Sequence, residues 1–126
     1  MKRLWLGVGI LLALMAAGFW AADYAGRIHG EISGVLEDAS RAALEEDWQQ
    51  AVALGKQARE KWEKNRGVTA ALSDHTVLDE IDAGFARLEV YGRDRHPTDF
   101  AAQSGALARQ VEALGEGHQL SLSNLL

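Results

Sequence analysis

Hydrophobic and polar positions divide this chain into two unequal parts. Residues 4–22 form a run of 19 residues without a charged or polar side chain, and after that run apolar and polar residues alternate with helical spacing. At about 1.5 Å per residue, a helical run of this length spans roughly 28 Å, close to the hydrocarbon thickness of a bilayer. The pattern therefore predicts two domains, an N-terminal transmembrane helix over residues 1–22 and a helical domain over residues 23–126.

The charges that flank the apolar run predict its orientation. Lys2 and Arg3 precede the run and Asp23 follows it, and positive charges favour the cytoplasmic side of a membrane. We therefore expect a single-pass protein of the cell membrane, with a cytoplasmic N-terminus and an extracytoplasmic C-terminal domain. Aromatic residues stand near the ends of the run, as is typical of membrane interfaces; they are Trp5, Phe19, Trp20 and Tyr24.

Three interpretations of the apolar run compete. The first is an uncleaved signal-anchor, the second is a signal peptide cleaved after Ala16-Ala17-Gly18, and the third is a buried helix of a soluble protein. Signal peptides usually have an apolar core of only about 7–15 residues. The length of the run therefore favours the uncleaved signal-anchor.

Small residues recur at every fourth position within the run, at Gly9, Ala13, Ala17 and Ala21. This spacing places them on one face of a helix, where small side chains allow a second membrane helix to approach closely. We expect this face to contact another membrane protein or a second copy of the chain. The alternative is that alanine is simply frequent in membrane anchors and that the face has no specific partner.

The remainder of the chain is predicted to form four helices, because apolar residues recur there at steps of three and four. The first continues out of the membrane and covers about residues 25–45. The second begins at Asp47, which with Gln50 resembles a capping box, and ends at Asn65-Arg66-Gly67. The third follows Ser73 or Thr76 as its N-cap, and a turn over residues 92–97 separates it from a fourth helix that begins at Pro97.

These helices predict an all-α fold, in which two packed αα-hairpins follow the transmembrane helix. A four-helix bundle or a tetratricopeptide-like arrangement fits this order. The internal echo between Asp47-Trp48 and Asp99-Phe100 spans 52 residues, whereas the tetratricopeptide period is about 34 residues. The chain is therefore not a repeat of that family.

Four aromatic residues are predicted to lie in the core of the bundle, and they are Trp48, Trp62, Phe85 and Phe100. The two tryptophans are two heptads apart, so we expect both to face the same neighbouring helix. Each tryptophan buries on the order of 200 Å² when packed. Stacking on a sugar or peptide ligand is the alternative role of this pair.

The composition excludes several classes of function. The 126 residues include 13 basic and 18 acidic ones, for a formal net charge of −5. All acidic residues follow the apolar run, so the domain lacks the basic footprint of a nucleic-acid-binding protein. Because cysteine is absent, disulfides, thiolate metal sites and cysteine nucleophiles are excluded.

No arrangement typical of catalysis occurs in the sequence, so we expect no enzyme and no cofactor. A weak candidate metal site is formed by His75 and Asp79, which share a helix face, with Asp82 one turn further along. We favour the alternative, a helix start at which acidic side chains interact with the helix dipole. His118 lies on the apolar stripe of the fourth helix and is interpreted as a residue at the edge of the core.

The chain resembles the DUF4363 family, a domain-of-unknown-function family of small membrane-anchored helical bacterial proteins. The resemblance extends over most of the chain and is carried by a short basic start with a single anchor and by four segments, Asp47-Trp48-x-x-Ala51, the region of Trp62, Asp74-His75 followed by Ile81-Asp82, and the closing Leu120-Ser121-Leu122-Ser123-Asn124-Leu125-Leu126. It implies a fold type and an orientation, and it implies no catalytic residues.

Two functions follow from this interpretation. The first is a membrane-anchored, non-enzymatic helical module that presents its surface to a protein partner. The second is a domain that senses a small ligand or a metal ion, either at the acidic start of the third helix or in a groove between the hairpins. The apolar tail, which contains Leu120, Leu122, Leu125 and Leu126, is expected to dock rather than to extend into solvent.

Overall fold

The computed structural model describes residues 1–125, with only the backbone described for residue 72 and residues 118–125. Four helices follow one another along the chain, α1 (Lys2–Leu44), α2 (Trp48–Leu72), α3 (His75–Arg93) and α4 (Pro97–Leu125). Residues 1–125 contain no strand. The prediction of an all-α fold with four helices is therefore confirmed.

Helix α1 joins the apolar run to the bundle without a break. Its 43 residues correspond to a length of about 64 Å. Residues 1–20 are exposed, and packing against the bundle begins with Ala22 and Ala25. From there, buried side chains recur at steps of three and four, the spacing of a helix packed against neighbours; they are Ala22, Ala25, His29, Ile32, Ser33, Leu36, Ala39, Ala42 and Ala43.

The four helices form an antiparallel bundle in which α1 and α3 each contact both α2 and α4. Hydrogen bonds fix the register of α1 against α4. The Ser40 hydroxyl donates to the carbonyl of Ala101 at 2.8 Å, and the Ser33 hydroxyl donates to the carbonyl of Ala108 at 3.0 Å. A step of seven residues in one helix therefore matches a step of seven in the other, with opposite chain direction.

The starts of α2 and α4 confirm two predicted boundaries, and the start of α3 differs from the prediction. Asp47 caps α2 by accepting a hydrogen bond from the backbone nitrogen of Gln50 at 3.4 Å, and α4 begins at Pro97. Helix α3 is capped by Asp74, which accepts from the backbone nitrogen of Thr76 at 3.0 Å. The prediction of Ser73 or Thr76 as this N-cap is therefore wrong, because the carboxylate of Asp74 accepts the hydrogen bond from a backbone amide in the first turn of α3.

Helix α2 extends beyond the stop predicted at Asn65-Arg66-Gly67 and ends at Leu72. Gly67 lies inside the helix, and no glycine in residues 1–125 has a positive φ. The side chains of Asn65 and Thr69 form hydrogen bonds to side chains of α1, those of Tyr24 and His29. Each also donates to a backbone carbonyl one turn earlier in α2. These contacts hold the turns on either side of Gly67 in the helix, which outweighs the local preference of glycine for a helix end.

The aromatic side chains lie at two levels of the core. Trp62, Phe85 and Phe100 are buried, and Trp48 is half-buried at the edge. Trp48 contacts Phe100 of α4 edge-to-face, with 5.2 Å between ring centroids, whereas Trp62 stacks on Phe85 of α3 at 6.3 Å. The prediction of a common neighbour for both tryptophans is wrong, since a straight helix rotates by roughly 40° over two heptads.

Candidate functional site

The exposed part of α1 presents the small residues that the sequence suggested for helix packing. Gly9, Ala13 and Ala17 lie in the exposed stretch, and Ala21 is half-buried where the bundle begins. A Cβ atom added to Gly9 would meet no atom within 4 Å. Residues 1–125 contain one helix that is long and apolar enough to cross a membrane, and its most apolar window has no side chain buried in the bundle. This face of α1 is open to lipid or to another helix.

Aromatic and polar side chains meet where α1 leaves the apolar run. Trp20 stacks on Tyr24 with 5.7 Å between ring centroids. The Tyr24 hydroxyl donates a hydrogen bond of 2.9 Å to the Oδ1 atom of Asn65 on α2. An aromatic pair with one polar tip suits the boundary between lipid and water.

A buried polar cluster between α1 and α2 follows one turn further along. His29 is only 1% exposed, and its Nε2 atom lies 3.0 Å from the Thr69 hydroxyl. That hydroxyl also donates to the carbonyl of Asn65 at 3.1 Å. His29 was not among the residues predicted from the sequence, although the three-and-four spacing of the apolar stripe extends back from Ile32 to this residue. The cluster is enclosed by the Trp62 ring, 6.3 Å from the imidazole, and it acts as packing rather than as an accessible site.

The weak candidate metal ligands lie near the start of α3, where the guanidinium of Arg66 on α2 forms ion pairs with the two aspartate carboxylates. Asp82 Oδ2 accepts from Arg66 Nε at 3.0 Å and from Arg66 Nη2 at 2.8 Å, and Asp79 lies 3.6 Å from the same guanidinium. His75 is exposed. Among the described side chains, no three His, Cys, Asp or Glu residues converge in a way that would hold a metal ion.

Asp82 also accepts a hydrogen bond from the buried Trp62 indole, whose Nε1 atom donates to Oδ1 at 2.7 Å. Burial by itself would raise the pKa of Asp82. The hydrogen bonds from Arg66 and Trp62, together with the positive charge of Arg66, outweigh burial and hold the pKa of this carboxyl below its ordinary value. The group is therefore a structural link between α2 and α3.

A groove opens between α2 and α3 on the side away from α1. Its volume is about 350 Å³, and its floor is apolar, formed by Phe85, Leu88 and Phe100. Gly55 makes room for the Phe100 ring, because a Cβ atom there would lie only 3.2 Å from Phe100 Cζ, whereas a Cβ atom at Gly92 would be in ordinary contact with Phe100 Cε2 at 3.6 Å. The groove lies between the two hairpins, where the sequence analysis had placed one of its alternative ligand sites.

Charged side chains line the rim of this groove. Arg59 pairs with Glu63 one turn away and with Glu89 across the groove. The hydrogen bond to Glu63, with Glu89 adding its own charge and hydrogen bond, raises the pKa of Arg59 against an opposing effect of burial. Lys56 and Arg93 complete the rim. An apolar floor with a mixed-charge rim suits a small apolar ligand or an amphipathic helix.

Two sequence predictions fall on side chains outside the described part of the structure. His118, interpreted as a residue at the edge of the core, lies in α4, for which only the backbone is described at that position. The same holds for the leucines of the tail up to Leu125, and Leu126 lies outside the described residues.

Comparison with known protein families matches residues 19–125 to the family described as Domain of unknown function (DUF4363). The match begins in the last turn of the apolar run and covers the entire bundle. No curated protein and no solved structure shows significant similarity to the chain. Because the family match covers most of the chain and agrees with the resemblance of its sequence segments, the chain belongs to the DUF4363 family.

Proposed function

We propose that this chain is a single-pass membrane protein whose helical bundle is a non-enzymatic module for protein contacts on the extracytoplasmic side. The observation that carries the proposal is the continuity of α1, which passes from an exposed apolar segment directly into the core of the bundle. A soluble protein would not expose 20 consecutive residues of this composition to water. The cost of such exposure is removed when residues 4–22 lie in lipid.

The same continuity supports a fixed position of the bundle above the membrane. Ala22 is the last residue of the apolar run and already the first buried residue of the bundle. No flexible linker therefore separates the anchor from the domain. A partner that binds the bundle would be held at a set distance from the bilayer, which reduces the entropic cost of a contact with another membrane protein.

The small-residue face of α1 is the surface that we propose for a contact within the membrane. Gly9, Ala13 and Ala17 would allow a second helix to approach closely. The partner that fits this face is a transmembrane helix with small residues at the point where the two helices cross. A second copy of this chain meets that description. The proposed contact is therefore a homodimer through α1, and association with a different membrane protein is an outcome of the test.

The test uses the absence of cysteine from the natural chain. Full-length chains with Ala13→Cys are oxidised in intact membranes, and disulfide-linked dimers are quantified by non-reducing electrophoresis. Leu11→Cys is the matched control, because it lies on the opposite face of the same helical turn. We expect dimers from Ala13→Cys and few from Leu11→Cys. Equal yields at both positions would contradict a specific contact through this face, and monomers at both positions would contradict the homodimer and leave a different membrane protein as the partner.

A second candidate function is supported by the groove between α2 and α3. Its volume of about 350 Å³ falls within the range of small-molecule sites, and its apolar floor favours a small apolar ligand. Thermal unfolding of the full chain in lipid nanodiscs, with indole as the probe, tests this candidate. Stabilisation that disappears in Gly55→Leu, which would fill the groove beside Phe100, would support it, and no stabilisation of the natural chain would remove it.

A further inference from the structure

The helix register places the end of α4 beside the apolar run of α1. Ser40 lies at the level of Ala101 and Ser33 at the level of Ala108. A Cβ atom at Gly115 would lie 3.3 Å from the Cβ atom of His29. Since both helices rise by about 1.5 Å per residue, the eleven residues of α4 from Gly115 to Leu125 pass the level of Ala25 and extend roughly as far as the last turns of the run.

Helix α2 also reaches the apolar run. Tyr24 meets Asn65 through its hydroxyl, His29 contacts Thr69, and α2 continues to Leu72. Because α2 runs antiparallel to α1, these two contacts together place its end near the level of Ala21 and Ala22. Both neighbours of α1 therefore reach the end of the apolar run that adjoins the bundle.

The two helix ends beside α1 lack charged residues. The last charged residue of α2 is Arg66, and the last of α4 is Glu116. Residues 67–72 and 117–125 contain no Asp, Glu, Lys or Arg. Within this part of α2, Val68 is an exposed large hydrophobic side chain, with 38% of its surface accessible. Charged groups are costly in the apolar part of a bilayer, so their absence suits contact with lipid.

Helix α3 differs from α2 and α4 at this end. It is the one helix of the bundle without contact to α1, and its first turns carry Asp74 as N-cap followed by Asp79 and Glu80, which are all exposed. The charge-free ends therefore belong to the two helices that flank α1, and the acidic end belongs to α3, the helix farther from α1.

We propose that the ends of α2 and α4 enter the interfacial layer of the bilayer that holds α1, so that three helices contact lipid while the start of α3 stays in water. The occupant of this surface is the boundary between headgroups and acyl chains, where amphipathic helices bury their apolar face by about 5–10 Å. Trp20 and Tyr24, stacked at this level, are the residue types enriched at that boundary. The inference rests on the proposed membrane anchoring of α1.

The experiment measures the depth of single spin labels in the full-length chain, reconstituted into vesicles of phosphatidylcholine and phosphatidylglycerol. Cysteine is introduced singly as Leu11→Cys in the apolar run, Val68→Cys in α2 and Ser123→Cys in α4. The controls are Glu80→Cys on α3, at the same end of the bundle, and Ala106→Cys, an exposed position further along α4. Collision rates with oxygen, which concentrates in lipid, and with a water-soluble nickel chelate report the depth of each label.

We expect labels at Leu11, Val68 and Ser123 to favour oxygen over the nickel chelate by at least several-fold, and labels at Glu80 and Ala106 to favour the chelate. Lipid contact at Leu11 with water contact at both Val68 and Ser123 would overturn this inference and leave the membrane anchor intact. Low collision rates for both reagents at Val68 and Ser123 would mean a protein contact, such as a second copy, and would also overturn it. Water contact at Leu11 would overturn the proposed anchoring itself. Circular dichroism shows whether each variant is folded. The labels at Val68 and Ser123 measure the depth of two different helix ends, those of α2 and α4, so one variant remains informative if the other fails to fold.

Discussion

The Trp62 indole nitrogen lies 2.7 Å from the Asp82 carboxylate to which it donates a hydrogen bond, although the ring itself is buried in the core. This bond joins α2 to α3 in the half of the bundle nearer the apolar run of α1. The Arg66 guanidinium binds the other oxygen of the same carboxylate. The two helices separate from there toward the opposite end, where Gly55 and Gly92 flank the open groove.

Replacing Trp62 by alanine is expected to lower the free energy of unfolding by about 3–5 kcal/mol, because a fully buried ring is removed and the Asp82 hydrogen bond is lost. Trp62→Phe retains most of the packing and should cost considerably less. Trp48→Ala is the matched control and should cost less than Trp62→Ala, since Trp48 is half-buried. Urea denaturation followed by circular dichroism provides the values. A loss below about 1 kcal/mol for Trp62→Ala would show that the ring is not part of the core.

The Asp82 carboxylate is expected to contribute to the acid sensitivity of the bundle. Its pKa is lower in the folded chain than in the unfolded chain, so its stabilising effect is fully present above the unfolded pKa of about 4 and is lost as the pH falls through the folded pKa. The effect is small, because the side chain is 38% exposed. Asp82→Asn should therefore flatten the fall in stability below pH 4, measured by urea titrations between pH 2.5 and 6. Glu80→Gln, an exposed neighbour, is the control, and an unchanged slope in Asp82→Asn would contradict the assignment.

Two glycine substitutions are expected to have opposite effects. A Cβ atom at Gly84 would lie 2.5 Å from Leu107 Cδ2, which belongs to a completely buried side chain, so Gly84→Ala should destabilise the bundle by about 1–3 kcal/mol. At Gly67 a Cβ atom would meet nothing within 4 Å. Gly67→Ala should stabilise the chain by roughly 0.5–1 kcal/mol, because the residue lies inside α2. Destabilisation by Gly67→Ala would instead indicate a helix end at the position that the sequence predicted.

Divalent cations are expected to leave the melting temperature of the bundle unchanged, because Arg66 occupies the carboxylates of Asp79 and Asp82. Thermal unfolding in the presence of Zn²⁺, Mg²⁺ or Ca²⁺ tests this expectation. A variant with His75→Ala and Asp79→Ala together provides the control for nonspecific binding. Stabilisation of the natural chain that disappears in the double variant would support the alternative function of metal sensing.

Sequence periodicity was sufficient to predict the number of helices and most of their boundaries. Asp47 and Pro97 carry their information locally, since one caps a helix and the other tolerates only its first turn. The end of α2 depends instead on contacts that Asn65 and Thr69 make with α1, more than 30 residues away. A local preference of Gly67 was therefore misleading.

The candidate site could be predicted less well from the sequence, because it too depends on contacts between residues that are far apart in the chain. Asp82 has the sequence context of a solvent-exposed acidic face, and only the packing of α2 against α3 places it between Trp62 and Arg66. The groove likewise depends on how far two helices separate, which their own residues do not encode. The exposed apolar run is different, because its length and composition already predict its environment.

The proposal that α1 remains in the membrane and holds the bundle on the extracytoplasmic side is tested most directly by labelling intact cells with a membrane-impermeant maleimide. The full-length chain carries Ala106→Cys or, as the reference for the opposite side, a cysteine inserted between Met1 and Lys2, which leaves both flanking positive charges in place. We predict that Ala106→Cys is labelled without permeabilisation on a full-length chain that sediments with membranes, whereas the inserted cysteine is labelled only after permeabilisation. Labelling of Ala106→Cys only after lysis, or on a soluble chain that lacks residues 1–18, would contradict it.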